Sequence, residues 1–330
     1  MGALFKTIEE VAAVVPVMNS FDFDLVLPDI ERAEQRFLID IVGQAQYDNI
    51  YTPYQAGTPA LTTAQTNLLK KMRVPVAHLA YYFYAPKGNV TIGSSGIQQT
   101  HNEGSSKPAF QWAVDAMMKG YLDGGFDGLE ALAEFLEANK ATYTIWAGST
   151  AYTRSKELFV NTTREFNDEF ASLNNSRRLF MAMRHILKRH DNKTIKAVLG
   201  TTLFAEIKLQ ITAGTVTSAN ETLLTYIRSA LVNLTVMDAI PELGLKIDEF
   251  GITVSAPTTS STTQNQSARQ VANADQVNSL WKNVKKVGED YLAGLKDYLE
   301  ANAATYPLYT PTTDFTKVYL NDQDSGIAFL

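Results

Sequence analysis

The chain has 330 residues, 45% of them apolar and 19% charged, with a formal net charge of −6 and a pI near 5.3. This is the balance of a globular protein with room for roughly two or three domains, and it argues against a dedicated nucleic-acid binder, which is normally basic over its working surface. The absence of cysteine excludes a disulfide framework and thiolate metal sites.

The opening Met1-Gly2-Ala3-Leu4-Phe5-Lys6 has no basic stretch followed by an apolar core, so no secretory signal is expected. Lys6 stands where a myristoylation signal wants Ser or Thr. No unbroken apolar run approaches the ~18–20 residues of a membrane span. Leu4, Ile8, Val11 and Val15 recur at helical spacing up to Pro16, predicting a short amphipathic helix that lies on its own domain or reaches a neighbour. A second helix follows Asp22 and Asp24, with Pro28 in its first turn and Ile30, Ala33, Phe37, Leu38 and Ile41 along one face.

From Ile41 onward the chain carries a second copy of itself. Ile41-Val42-Gly43 with Tyr47 and Ile50 matches Val198-Leu199-Gly200 with Phe204 and Ile207 at one constant offset. Glycine kept in both copies reads as a helix stop or a close contact that the backbone requires. A helix beginning near Thr62 and Thr63 has its partner near Thr217 and Ser218, with Arg73 paired to Arg228 and Pro86 to Pro241, where both are expected to end. Alternation then replaces the helical period. Val90-Thr91-Ile92 and Ile97-Gln98-Gln99-Thr100 flank a turn ending in Gly96, as Leu245-Lys246-Ile247 and Ile252-Thr253-Val254-Ser255 flank one ending in Gly251. These predict β-hairpins over 90–100 and 245–255, the last glycine of each turn at positive φ.

Polar loops follow, His101 to Lys107 and the longer Ala256 to Ser267, the latter rich in Thr, Ser and Gln. The stretches 109–143 and 272–306 then align without a gap, pairing Val114 with Val277, Met117 with Leu280, Gly125 with Gly288 and Leu136 with Leu299. The shared glycine marks a kink or a helix crossing. The strongest match is Phe135-Leu136-Glu137-Ala138-Asn139-Lys140-Ala141-Thr142-Tyr143 against Tyr298-Leu299-Glu300-Ala301-Asn302-Ala303-Ala304-Thr305-Tyr306. Each copy is expected to close on an extended piece, Ser149 to Arg154 and Thr312 to Lys317, with residues 155–195 a mostly helical bridge. The expected fold is therefore mainly α (α+β): two tandem homologous helical domains, 1–155 and 156–318, each with a hairpin, and a carboxyl tail, 319–330.

No motif with catalytic spacing is present. His185 and His190 are at the wrong step for one helix face, and the glycines at 93–96 and 124–125 lack the strand-turn-helix context of a phosphate cradle. Neither a cofactor nor a metal is expected. Tyr81-Tyr82-Phe83-Tyr84 reads as a buried helix end, because no arginine is interleaved with it. The conspicuous charged feature is a basic run including Arg177, Arg178, Arg184 and Lys188, alternating with Leu179, Phe180, Met183, Ile186 and Leu187 at helical spacing. One face is core and the other positive: plainly solvated in the first reading, facing an acidic protein surface in the second and nucleic acid in the third. In the tail, Tyr319-Leu320 and Ile327-Ala328-Phe329-Leu330 flank a polar spacer, a pattern suited to docking on a neighbouring subunit, the equal alternative being a frayed terminus. Arg177, Arg178, Arg184, Lys188, Ile327, Phe329 and Leu330 are the candidate interface residues.

Through Ile41-Val42-Gly43-Gln44-Ala45-Gln46-Tyr47, the segment Val76 to Pro86, and Val90-Thr91-Ile92 with Gly96-Ile97, the chain resembles a family of phage and prophage proteins of about this length, encoded among virion-morphogenesis genes. The likeness spans nearly the whole chain, and its motifs are packing motifs. In helix order each copy is also similar to phage head-to-tail connector subunits, small helical proteins that form a ring beneath the portal and carry the DNA channel to the tail. A tandem copy departs from the single-copy subunit usual there. The resemblance implies a structural virion protein and no enzyme, a homo-oligomeric ring of about twelve-fold order. Its partners would be portal and tail proteins. DNA would slide through without specific binding, there would be no membrane contact, and assembly would take place in the host cytoplasm. An acidic channel wall suits that passage. The alternative within assembly is a tail-completion or minor tail protein. An enzyme or binding module with a site between the domains is the reading from another class.

Overall fold

The computed structural model describes residues 3–88, 90–93, 96–99, 110–248, 251–254 and 274–310. The chain divides into two compact units, Met1–Ser155 and Lys156–Leu330. Both are mainly helical.

In the first unit, α1 (Ile8–Ala12) and α2 (Phe23–Ala33) lead through a π-helical turn (Glu34–Leu38) into α3 (Ile39–Val42), α4 (Gln44–Ala56) and the long α5 (Thr63–Gly88). Strands β1 (Val90–Gly93) and β2 (Gly96–Gln99) pair antiparallel, Val90 opposite Gln99. Helices α6 (Gln111–Ala138), α7 (Thr144–Ala147) and α8 (Thr150–Ser155) complete the unit. Helices α5 and α6 are antiparallel neighbours: a Cβ on Gly125 would lie 2.6 Å from Leu79 Cγ, and one on Gly128 would lie 3.0 Å from the Pro75 backbone nitrogen. The missing side chains let the two helices close up, so the shared glycine is a crossing point. Leu68, Met72, Val76 and Leu79 of α5 and Leu132 and Leu136 of α6 are fully or almost fully buried there, with Ile30 of α2 and Ile50 of α4.

The second unit repeats this order. Helix α9 (Thr163–Glu169), α10 (Arg177–His190), a second π-helical turn (Asp191–Ile195), α11 (Lys196–Ala213) and α12 (Ser218–Gly244) precede β3 (Leu245–Asp248), which pairs antiparallel with β4 (Gly251–Val254), and then α13 (Ala274–Ala301). A Cβ on Gly288 of α13 would meet Leu234 of α12 at 3.0 Å, matching the crossing in the first unit. The tyrosine that closes the best-matched segment does the same work twice: the Tyr143 hydroxyl donates to Ala64 O (3.0 Å) and the Tyr306 hydroxyl to Ala219 O (2.7 Å).

The repeat extends further back than the sequence match. Residues 156–195 are the opening of the second unit and answer to residues 1–38, so they are no bridge. Arg73 Nε donates to Leu4 O (2.8 Å) and pairs with Glu10 (2.8 Å); Arg228 Nε donates to Phe159 O (3.1 Å) and pairs with Glu165 (2.8 Å). Lys6 N–H donates to Glu10 and Asn161 N–H to Glu165, each at 2.7 Å. The amino-terminal stretch therefore lies on its own unit, with Leu4, Phe5, Ile8, Val11 and Val15 all buried.

Four expectations change. Helix α2 starts at Phe23, capped by Asp22, which leaves Pro28 in its interior. Helices α5 and α12 run past Pro86 and Pro241 to Gly88 and Gly244. The piece Ser149 to Arg154 is mostly helical, because the Ser149 hydroxyl accepts from Tyr152 N–H (3.2 Å) and so starts α8; its counterpart 312–317 lies outside the described residues. Finally, the stretch Ser218–Leu243 does have the length and composition of a membrane span, with hydropathy 1.3, and an 18-residue window within it is 67% buried. Burial of that order is what the central helix of a helical core requires. The hairpin turns 94–95 and 249–250, their expected end residues Thr100 and Ser255, both polar loops and the tail lie outside the described residues.

Gly43 and Gly200 hold the same backbone state, φ +74°, ψ 148° and φ +74°, ψ 162°. Only glycine adopts this region without strain. A Cβ would also lie 3.3 Å from Ser149 Oγ at the first and 2.9 Å from Thr310 Oγ1 at the second. Gly43→Ala and Gly200→Ala are each expected to cost about 1–3 kcal/mol. Unchanged denaturation midpoints would contradict this.

Candidate functional site

The basic run forms α10, started by the Ser176 hydroxyl accepting from Leu179 N–H. Phe180, Met183, Ile186 and Leu187 face the core as the periodicity predicts, whereas Leu179 in the first turn is 43% exposed and does not. The opposite face is paired within the unit. Arg184 and Lys188 both reach Glu157, at 2.7 and 3.2 Å. Arg189 bridges Asp238 and Glu242, at 2.7 and 2.5 Å, while His190 and His185 lie 2.9 and 3.2 Å from those same two carboxylates. Burial pushes the Asp238 carboxyl up, but His190 and Arg189 outweigh it and hold the group below the usual range. Of the four basic candidates, Arg184 and Lys188 are thus brought together on one acid, Arg177 is half-buried and Arg178 is exposed. Ile327, Phe329 and Leu330 lie outside the described residues.

Periodicity did not reveal the other notable site. Each π-helical turn begins with a buried acid, Glu34 (2% exposed) and Asp191 (1% exposed), standing at the same distance before the positive-φ glycine, Gly43 or Gly200, of its unit. Glu34 accepts from Leu4 N–H (2.7 Å) and from the Tyr47 hydroxyl (2.8 Å), tying the amino-terminal segment to α4. Burial, reinforced by the nearby Glu31 carboxylate, pushes the Glu34 carboxyl from 4.5 up to about 7. Beside it opens a pocket of about 350 Å3 whose wall includes Glu31, Glu34, Tyr47, Asp48 and Tyr51. Tyr47 and Tyr51 stack there at 5.5 Å.

In the second unit the corresponding acid meets a lysine. Lys208 Nζ lies 2.5 Å from Asp191 Oδ2, donates to Glu157 O (2.7 Å), and sits over the Phe159 and Phe204 rings, 3.9 and 5.3 Å from their centroids. Burial pushes Asp191 up and Lys208 down, and their mutual attraction opposes both shifts. The signal available in sequence was an acid nine positions before each repeated glycine, Glu34 before Gly43 and Asp191 before Gly200. Among the described residues, no group of three or more His, Asp or Glu is placed to hold a metal ion.

The model of one protein family, described as Family of unknown function (DUF6712), matches this chain twice, over residues 38–156 and 195–318. The chain belongs to that family, and the double match falls on the two units. Neither the curated proteins nor the solved structures give a match.

Proposed function

We propose that the chain is a structural component of a phage virion, a head-to-tail connector or adaptor that forms the neck ring joining portal to tail. In this reading each copy contributes two homologous helical units, each with its β-hairpin. The observation that carries the reading is an apolar position left in water in both units: Met117 of α6 and its counterpart Leu280 of α13 are each 44% exposed. Near Met117, Phe110 and Trp112 stand 74% and 72% exposed and stack on each other. Antiparallel packing of α5 and α6 places these residues at the end of the helical pair that carries β1 and β2. An exposed apolar position repeated at the same place in each unit suits assembly with identical neighbours.

Negative-stain imaging of the purified chain, alone and with portal, is expected to show closed rings. The triple variant W112K/M117K/L280K should lose them while keeping its helical circular dichroism and melting temperature. Deleting residues 319–330 should weaken assembly at an unchanged melting temperature. Monomers under all conditions, or rings that survive the triple substitution, would overturn the proposal.

A further inference from the structure

We propose that the pocket beside Glu34 in the first unit binds a primary alkylammonium group, which takes up the place that the Lys208 side chain fills in the second unit. The duplication supplies the comparison. Glu34 corresponds to Asp191, Tyr47 to Phe204 and Tyr51 to Lys208, all at the offset that also pairs Gly43 with Gly200. The second unit therefore carries its own cation, seated 2.5 Å from the acid and over aromatic rings.

The first unit keeps the acid and one of the two rings, Tyr47 for Phe204, has Leu4 in place of Phe159 and a tyrosine where that lysine stands, and a pocket of about 350 Å3 opens there. Its electrostatics match the assignment. Among the described residues of the wall, Glu31 and Asp48 add two further carboxyl groups and none carries a cationic side chain. At the position of Glu31 the second unit has Lys188, so the sign of the wall is reversed between the copies. The Tyr47 hydroxyl satisfies a hydrogen bond to Glu34 but brings no charge. The high pKa of Glu34 is what a buried carboxyl without a cation shows. Because Tyr47 and Tyr51 stack on each other, an ammonium seated there would gain the carboxylate and one outer ring face, the combination by which proteins hold alkylammonium groups. A free amine and a lysine side chain of another protein both present this group.

The test is calorimetric titration of the full-length chain at pH 8 with n-butylammonium chloride, against sodium chloride at equal ionic strength. Saturable binding to the wild type is expected, weakened at least tenfold in Glu34→Gln. It should be abolished in Tyr51→Lys, which supplies the cation in place and should raise the melting temperature at pH 8. Nα-acetyl-lysine N-methylamide forms a second arm. Tighter binding than n-butylammonium assigns the site to a partner's lysine, and weaker binding assigns it to a free amine; either result upholds the ammonium site. No saturable binding by the wild type overturns the proposal. So does equal binding by the wild type and by either variant that retains its circular dichroism.

Discussion

Replacing Lys208 with methionine is expected to destabilise the second unit by about 3–5 kcal/mol at pH 7, because it leaves the Asp191 carboxylate buried without its counter-charge. Methionine keeps most of the apolar stem over Phe159 and Phe204, so the loss reports charge more than packing. The double variant D191N/K208M should recover much of it, since a neutral pair in a buried site has no uncompensated charge. Trp281 is the single tryptophan after residue 155, so denaturation followed by its fluorescence in a W112F/W146F background isolates the unit. A single-variant loss below about 1 kcal/mol, the range of exposed ion pairs, would show that Lys208 and Asp191 are solvated.

Neutralising the buried acid of the first unit is expected to act with the opposite sign. Glu34 titrates near 4.5 when unfolded and about 7 when folded. Between those values the native state holds a proton that the unfolded chain has released, so stability falls as pH rises through the window and the loss is complete above it. The shift corresponds to about 3 kcal/mol. Glu34→Gln keeps an acceptor for Leu4 N–H and carries no charge at any pH. It should therefore match the wild type near pH 4, below the unfolded value, and exceed it by up to about 3 kcal/mol at pH 8. Parallel stability curves for the two proteins from pH 5 to 8 would contradict the burial of an uncompensated carboxyl.

These two acids show where sequence reasoning reached and where it stopped. The duplication was legible wherever packing demanded one residue type twice, as with Gly43 and Gly200 in a glycine-only backbone state or Gly125 and Gly288 at helix crossings. Arg73 and Arg228 were paired by position alone, and the structure adds that each holds the carbonyl of a distant segment. The first quarter of each unit was not legible as a repeat, because what is kept there is a role rather than a side chain. A backbone carbonyl is kept in Leu4 and Phe159, and a buried acid of either length in Glu34 and Asp191. Pro28 and Pro86 misled for a related reason. Each was read as a boundary from local propensity, whereas tertiary packing carries the helix through it. The pairing of α10 with Glu157, Asp238 and Glu242 joins residues far apart in sequence, so a helical-wheel reading of α10 showed a positive face without its partners.

The most direct test of the assembly reading is quantitative mass spectrometry of purified particles produced from the genome that encodes this chain. The account predicts a fixed copy number per particle, the same in every preparation and consistent with one ring. Particles that are complete and infectious without the chain would contradict it.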